Sequence, residues 1–230
     1  MASIYTDGTY LRNNPEWHAD DSAWKADHVA RLLERNAVAP ATVCEVGCGA
    51  GEILASLKRR LPPGTHFTGW DISPNAYALC SRKSAPGLEF RLGDLVQAPD
   101  RYDVLMAIDV FEHVEDYFGF LRGLRARATH KIFHIPLELS ALWVARGEPL
   151  LRQRRAVGHI HHFCKETALA TLEDTGYRVI DHFYTSGATD LAGHGWKSNL
   201  LKWPRKALYS MDQDAAARLL GGYSLMVLAQ

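Results

Sequence analysis

Apolar runs alternate with amphipathic stretches along most of the chain. "TVCEV", "HFTGWDI", "LEFRLGD", "YDVLMAID", "KIFHIP", "YRVIDHFYT" and "YSLMVLA" read as seven strands. Between them, "EILASLKRRL", "PNAYALCSRK", "DYFGFLRGLRARA" and "KETALATLEDTG" carry helical spacing. Ser73 caps the second of these with Pro74 at its first position, and Gly176 ends the fourth. Ahead of the first strand, "DDSAWKADHVARLLERN" predicts a helix with Asp21 or Ser22 as its cap. Strands alternating with helices in this way predict an α/β fold, a mostly parallel sheet with helices on both faces. Neither repeats nor low-complexity tracts interrupt the pattern.

Two stretches depart from the alternation, residues 137–163 and residues 186–222. Each begins where a strand ends. Ligands of open α/β sheets bind beyond the carboxyl ends of the strands, so both stretches are expected to be insertions that form a lid over a substrate site. With 230 residues and 47% hydrophobic content, the chain is expected to make one domain over 1–230, with an N-terminal helical cap over about 1–37.

Charge narrows the partners. The 26 lysines and arginines balance the 26 aspartates and glutamates, so the overall field that draws proteins to nucleic acid or anionic membranes is missing, and only a local patch stays open. Cys44, Cys48, Cys80 and Cys164 show no paired CxxC spacing, which fits a reducing cytoplasm. The opening "MASIYTDGTYLRNNPEW" lacks a basic region followed by an apolar one, and no apolar run is long enough to span a bilayer. A cytoplasmic protein with no membrane partner is the expectation.

The candidate chemistry centres on "VCEVGCGAGEIL". A strand ends near Glu45, glycines follow at Gly47, Gly49 and Gly51, and a helix begins at once. Such a turn lets backbone pass close to a ligand and offers unpaired helix-start amides, but it also occurs as bare geometry. A pyrophosphate site would prefer GxGxxG, whereas the spacing here is GxGxG. Glu45, two residues before the first glycine, is awkward beside a phosphate and suits a ligand carrying an ammonium group.

At these residues the chain resembles the class I S-adenosylmethionine-dependent methyltransferases, whose first motif is an acid followed by GxGxG. Asp71 at the end of the second strand stands where that family binds the cofactor ribose, with Ile72 beside it. Asp94 and Leu95 in "GDL" match the position that contacts the adenine amino group. "AIDVFEHVED" resembles a stretch of a subgroup that includes ubiquinone-pathway O-methyltransferases. The resemblance runs from about Asp20 to Ile180. It implies a Rossmann-like sheet with its last strand antiparallel, and a cofactor site formed by Glu45, Gly47, Cys48, Gly49, Gly51, Asp71, Ile72, Asp94, Leu95, Asp109 and Val110.

Methyl transfer from a sulfonium needs positioning above all, plus a base if the acceptor is a hydroxyl. His113 is the candidate base, with a helix cap or loop hydrogen bond as its bland alternative, and His161 is a second catalytic candidate. Asp109, Glu112 and His113 also stand near "GHIHHF", which holds His159, His161 and His162. Related acid-x-x-Glu-His sets bind a divalent ion in plant small-RNA methyltransferases, and the resemblance offers Asp109, Glu112, His113 and His161 as such a set, although the metal-free reading is preferred. Arg146, Arg152, Arg154 and Arg155 could hold an acidic acceptor or form a solvated run. Tyr5, Tyr10, Trp17 and Trp24 could cover the site or pack in the core. "HGWKSNLLKWPRK" offers another wall of the pocket. Trp24, Arg146 and His162 are the acceptor-binding candidates.

The expected function is therefore methyl transfer to a small-molecule acceptor, hydroxyl oxygen slightly favoured over nitrogen or carbon. The alternatives are a metal-assisted RNA methyltransferase, which the balanced charge disfavours, and a non-catalytic cofactor-binding protein that acts through a partner.

Overall fold

A computed structural model describes residues 21–190 and 205–230. Tyr5, Tyr10, Trp17 and residues 194–204 of the second insertion lie outside the described residues. The seven strands are β1 (Thr42–Val46), β2 (His66–Asp71), β3 (Leu88–Leu92), β4 (Tyr102–Ile108), β5 (Ala128–Leu137), β6 (Val179–Thr185) and β7 (Tyr223–Ala229). They form one sheet in the order β3-β2-β1-β4-β5-β7-β6, parallel except for β7, which runs antiparallel to both neighbours. The expected α/β fold with an antiparallel last strand is therefore the observed one.

Side-chain parity on the central strands separates two cores. Cys44, Val46, Leu105, Ala107, Phe133 and Ile135 point to one face, while Val43, Val104, Met106, Ile108 and Ile132 point to the other. On the second face lie α1 (Ser22–Arg35) and α2 (Glu52–Leu57), which bury Val29, Leu32, Leu33, Leu54 and Leu57. Next comes α3 (Pro74–Cys80), where Ser73 accepts a hydrogen bond from the Ala76 amide and Pro74 opens the helix as expected. The first face is covered by α4 (Tyr117–Leu124), then, after the short α5 (Ala141–Arg146) and α6 (Glu148–Ala156), by α7 (Lys165–Asp174). A helical turn α8 (Gly187–Asp190), a helical segment at 205–211 and α9 (Gln213–Leu220) fill the described parts of the second insertion.

The connections reverse direction between β1 and β4. Strands leave this junction toward opposite edges of the sheet, so the loops after β1 and β4 part and leave a crevice. Glu45 pairs in register with Met106, which brings the glycine turn and Asp109 to the same crevice.

Candidate active site

Three glycines build the floor of the crevice. Gly47, Gly49 and Gly51 all have positive φ, at 69°, 54° and 79°. Substitution would also meet neighbours: a Cβ on Gly47 would stand 2.9 Å from Val110, and one on Gly51 would stand 2.6 Å from Phe90. The turn thus stays bare for both conformational and steric reasons. Asp71 locks it from β2, accepting hydrogen bonds from the Gly49 amide at 2.9 Å and the Ser73 amide at 2.8 Å.

The cavity above this floor is about 320 Å³. Its lining joins Glu45 and the glycine turn to Trp24 and Lys25 from α1, Asp109 and His113 after β4, and His134 from β5. Gln153 and Val157 at the end of the first insertion, His159, and Gly187 at the start of the second complete the wall.

Parity explains Glu45. As a neighbour of Cys44 it must point to the face of Val43, toward α1, where it is buried and its Oε2 has no protein hydrogen-bond partner. Burial pushes its carboxyl well above the ordinary range. A buried acceptor left open behind a bare glycine turn is the arrangement a cationic ligand group would complete.

Lys25 and His134 belong to the same site, and neither stands out by spacing in the sequence. The Lys25 ammonium lies 2.8 Å from Asp109 Oδ2 and 2.9 Å from Asp21 Oδ2. His134 Nδ1 donates to Asp109 Oδ1 at 2.6 Å, and its Nε2 lies 2.8 Å from the Thr185 hydroxyl. Burial opposes charge on Asp109, but His134 and Lys25 outweigh it and hold the carboxyl well below its usual range. Burial likewise opposes the Lys25 charge, and the two aspartates overcome it and hold the ammonium protonated. Asp109 also adopts φ of 54°, a left-handed conformation that aspartate tolerates better than most residues. Asp21 occupies the cap position of α1 but makes no side-chain cap, because its carboxylate turns to Lys25.

A second cluster follows β4. Glu112 is buried with both carboxylate oxygens unpartnered, and burial together with the Asp109 charge pushes its carboxyl well above the ordinary range. The His113 and His159 rings stand edge to face at 4.7 Å. His159 and His162 each donate through Nδ1 to Glu138, at 2.7 and 2.6 Å. Burial raises the Glu138 carboxyl, and those two histidines more than reverse the effect. Among the described residues, Glu112, His113 and His159 bring ligand atoms within 4.8 Å of one another, a set that could hold a divalent ion with Glu138 orienting His159.

This grouping corrects the expected set. His161 donates its backbone amide to the Glu112 carbonyl at 3.1 Å, but its ring turns away, with Nε2 3.0 Å from the Val114 carbonyl and the ring packed on Tyr117 at 4.4 Å. Two residues earlier in the same extended segment, His159 takes the place expected of it. His162 turns to Glu138 and Arg146 is exposed on α5, so neither lines the cavity. Ile72 and Asp94 lie exposed beyond the mapped lining, Asp94 capping the short helix Leu95–Gln97 through the Val96 amide. Leu95 is fully buried in the first-face core.

Burial and the neighbouring His159 push His113 down to about 4. An imidazole that binds its proton more weakly folded than unfolded confers stability that is complete above its free pKa and is lost as pH falls through the folded value. Between pH 6.5 and 4, His113 should therefore remove up to about 3 kcal/mol of stability. Thermal melting of the parent and of His113→Gln across that range checks this, since the variant should lose less on acidification.

A family model described as a methyltransferase domain matches residues 17–182. The ubiquinone biosynthesis O-methyltransferase of Aeromonas salmonicida is 29% identical over 89 residues, which are 36% of this chain and 36% of that protein. The chain thus matches little more than a third of that relative's length. Among solved structures, the magnesium protoporphyrin IX methyltransferase of Synechocystis PCC 6803 with bound S-adenosylhomocysteine is 19% identical, with a TM-score of 0.60 over 90% of this chain and 82% of that one. A Haloferax volcanii methyltransferase solved in complex with the Trm112 methyltransferase activator is 18% identical, with a TM-score of 0.66 over 100% of this chain and 96% of its own. By the extent of the match, which takes in β1 to β5 with the glycine turn and the residues after β4, this chain belongs to the methyltransferase-domain family.

Proposed function

We propose that the protein transfers the methyl group of S-adenosylmethionine to a small-molecule acceptor, preferring a hydroxyl oxygen. The observation that carries this reading is the buried, open Glu45 oxygen behind a glycine turn kept bare at the switch point of the sheet. Glu45 would receive the cofactor's ammonium group, the turn would lie along its methionine part, and Asp71 would accept from the ribose with the lone pairs its two backbone bonds leave over. Exposed Ile72 and Asp94 stand on the adenine side, with Leu95 supporting them from the core. When bound, the sulfonium supplies an activated methyl group, so the chain's own contribution is to orient the acceptor and exclude water.

His113 faces the cavity as an imidazole that is neutral at physiological pH, unprotonated and so able to take a hydroxyl proton as the acceptor oxygen loses it, but a weaker base than a free histidine. Trp24 and the 153–157 end of the first insertion would enclose the acceptor, with both insertions acting as a lid. A metal-assisted reaction is the second reading, favoured by the two open Glu112 oxygens beside His113 and His159.

Calorimetric titration with S-adenosylmethionine and its demethylated product tests the cofactor. Asp71→Ala should weaken binding by about 1.5 to 3 kcal/mol, because a charge-assisted acceptor is lost. Melting curves must accompany this variant, since Asp71 also ties the turn. Unchanged affinity in the folded variant would refute the ribose assignment, and tighter binding of NAD would overturn the cofactor reading. Transfer of a labelled methyl group into a metabolite extract but not into total RNA is the expected turnover result. Transfer into RNA alone would favour the second reading, and binding without any turnover would point to a non-catalytic cofactor-binding protein.

A further inference from the structure

Six of the nine exposed large apolar side chains among the described residues sit on the two insertions: Leu139, Leu142, Val144, Leu151, Met211 and Leu219. Val144 is 57% exposed, Leu151 56% and Met211 84%. The two groups are physically joined, because α5 packs against α9 and Gly221 sits so close to Ser140 and Trp143 that a side chain there would clash. Scattered apolar residues on a surface need no explanation, but a concentration on two adjoining insertions does.

The charges beside them have one sign. Arg146, Arg152, Arg154 and Arg155 are all exposed on α5 and α6, and Glu148 is the exposed acid among them, 3.1 Å from Arg155. Facing acids on α9 are already engaged, Asp214 with Lys165 and Asp212 as the cap of α9, while Arg218 pairs with Glu166. None of these arginines is among the described residues that line the cavity. Apolar side chains interleaved with arginines match a surface that is greasy below and anionic above, as a bilayer of acidic phospholipids is. A protein partner of ordinary composition would leave the arginine excess unmatched.

We propose that α5 and α6, with Leu219 on the adjoining α9, dock the protein on an anionic membrane surface. No described helix is long and apolar enough to cross a membrane, so the contact is peripheral. The overall charge balance conceals this patch, because the acids that neutralise it lie elsewhere on the chain. Gln153 of α6 and Val157 just after it line the cavity, while the exposed Leu151, Arg152 and Arg155 lie on the opposite side of the same helix, so the docked face is the outer face of the insertion. The docking claim stands whatever reaction the cavity carries out.

Co-sedimentation of the full chain with vesicles tests it. Phosphatidylcholine vesicles containing about one third phosphatidylglycerol should retain the protein, and pure phosphatidylcholine vesicles should retain much less. Raising salt should release it, because exposed charges are screened. Arg152→Glu with Arg154→Glu and Arg155→Glu, or Leu142→Asp with Val144→Asp and Leu151→Asp, should each weaken retention by about tenfold or more without lowering the melting temperature, since all six side chains are exposed. Equal retention on both vesicle types, no retention on either, or folded variants that bind like the parent would overturn the proposal. So would a parent dimer in sedimentation velocity that the apolar variant makes monomeric, which would give the face to a second copy of the chain.

Discussion

Asp109→Ala should destabilise the protein by about 3 kcal/mol, the low end of what breaking a buried ion pair costs. The low end applies because a quarter of the Asp109 side chain is exposed. Three losses combine. Lys25, which is 11% exposed, keeps only Asp21 as counter-charge; His134 loses its Nδ1 acceptor; and alanine tolerates the left-handed backbone less well than aspartate. Asp109→Asn keeps the backbone tolerance and a hydrogen-bond acceptor, so it isolates the loss of charge. Lys25→Met combined with Asp109→Asn should be milder than the sum of the two single changes, because neither buried charge is then left alone. Denaturant unfolding of the four proteins measures the coupling. Additive effects would show that α1 is not held to the end of β4 by this pair.

His113→Ala should lower turnover by about 10² to 10⁴ while leaving cofactor affinity nearly intact, if the imidazole takes the acceptor's proton. The pH profile is the sharper test. With its pKa pushed down to about 4, His113 is unprotonated throughout the neutral range, so kcat/KM should stay flat on the acid side until the pH approaches that value. An acid limb near 6.5 would identify a different group. Dialysis against chelator should leave turnover unchanged under the same reading. Loss of turnover restored by magnesium, manganese or zinc would instead assign Glu112, His113 and His159 to an ion, and Glu138→Gln should then weaken that ion's binding by releasing His159. Full turnover in His113→Ala without added metal would leave the pair a structural role only.

Most of the fold was legible because it depends on local periodicity. Each of the seven apolar runs became a strand, and Ser73 and Pro74 opened their helix, since caps and alternation act over a few neighbouring residues. Glu45 and the three glycines were legible for the same reason, being consecutive. His134 left a weak signal as a polar residue inside the apolar run "KIFHIP", and Lys25 left none, because its partner Asp109 lies four strands and two α-helices further along. Where a histidine-rich segment lies close to an acid, sequence distance could not choose among its members. The His159 ring rather than that of His161 comes near the Glu112 carboxylate, because His161, whose backbone amide bonds to the Glu112 carbonyl, turns its imidazole toward Val114.

The sequence by itself determined the order of elements, the bare turn and the acid that precedes it, all properties of contiguous residues. Only the tertiary structure decided which charges meet. Strand parity turned Glu45 toward α1, the reversal at β1 and β4 opened the crevice, and packing of α1 on the sheet buried Lys25 against Asp109. These depend on which strands become neighbours, and that choice follows from burying the two faces of the sheet together rather than from any single stretch of chain.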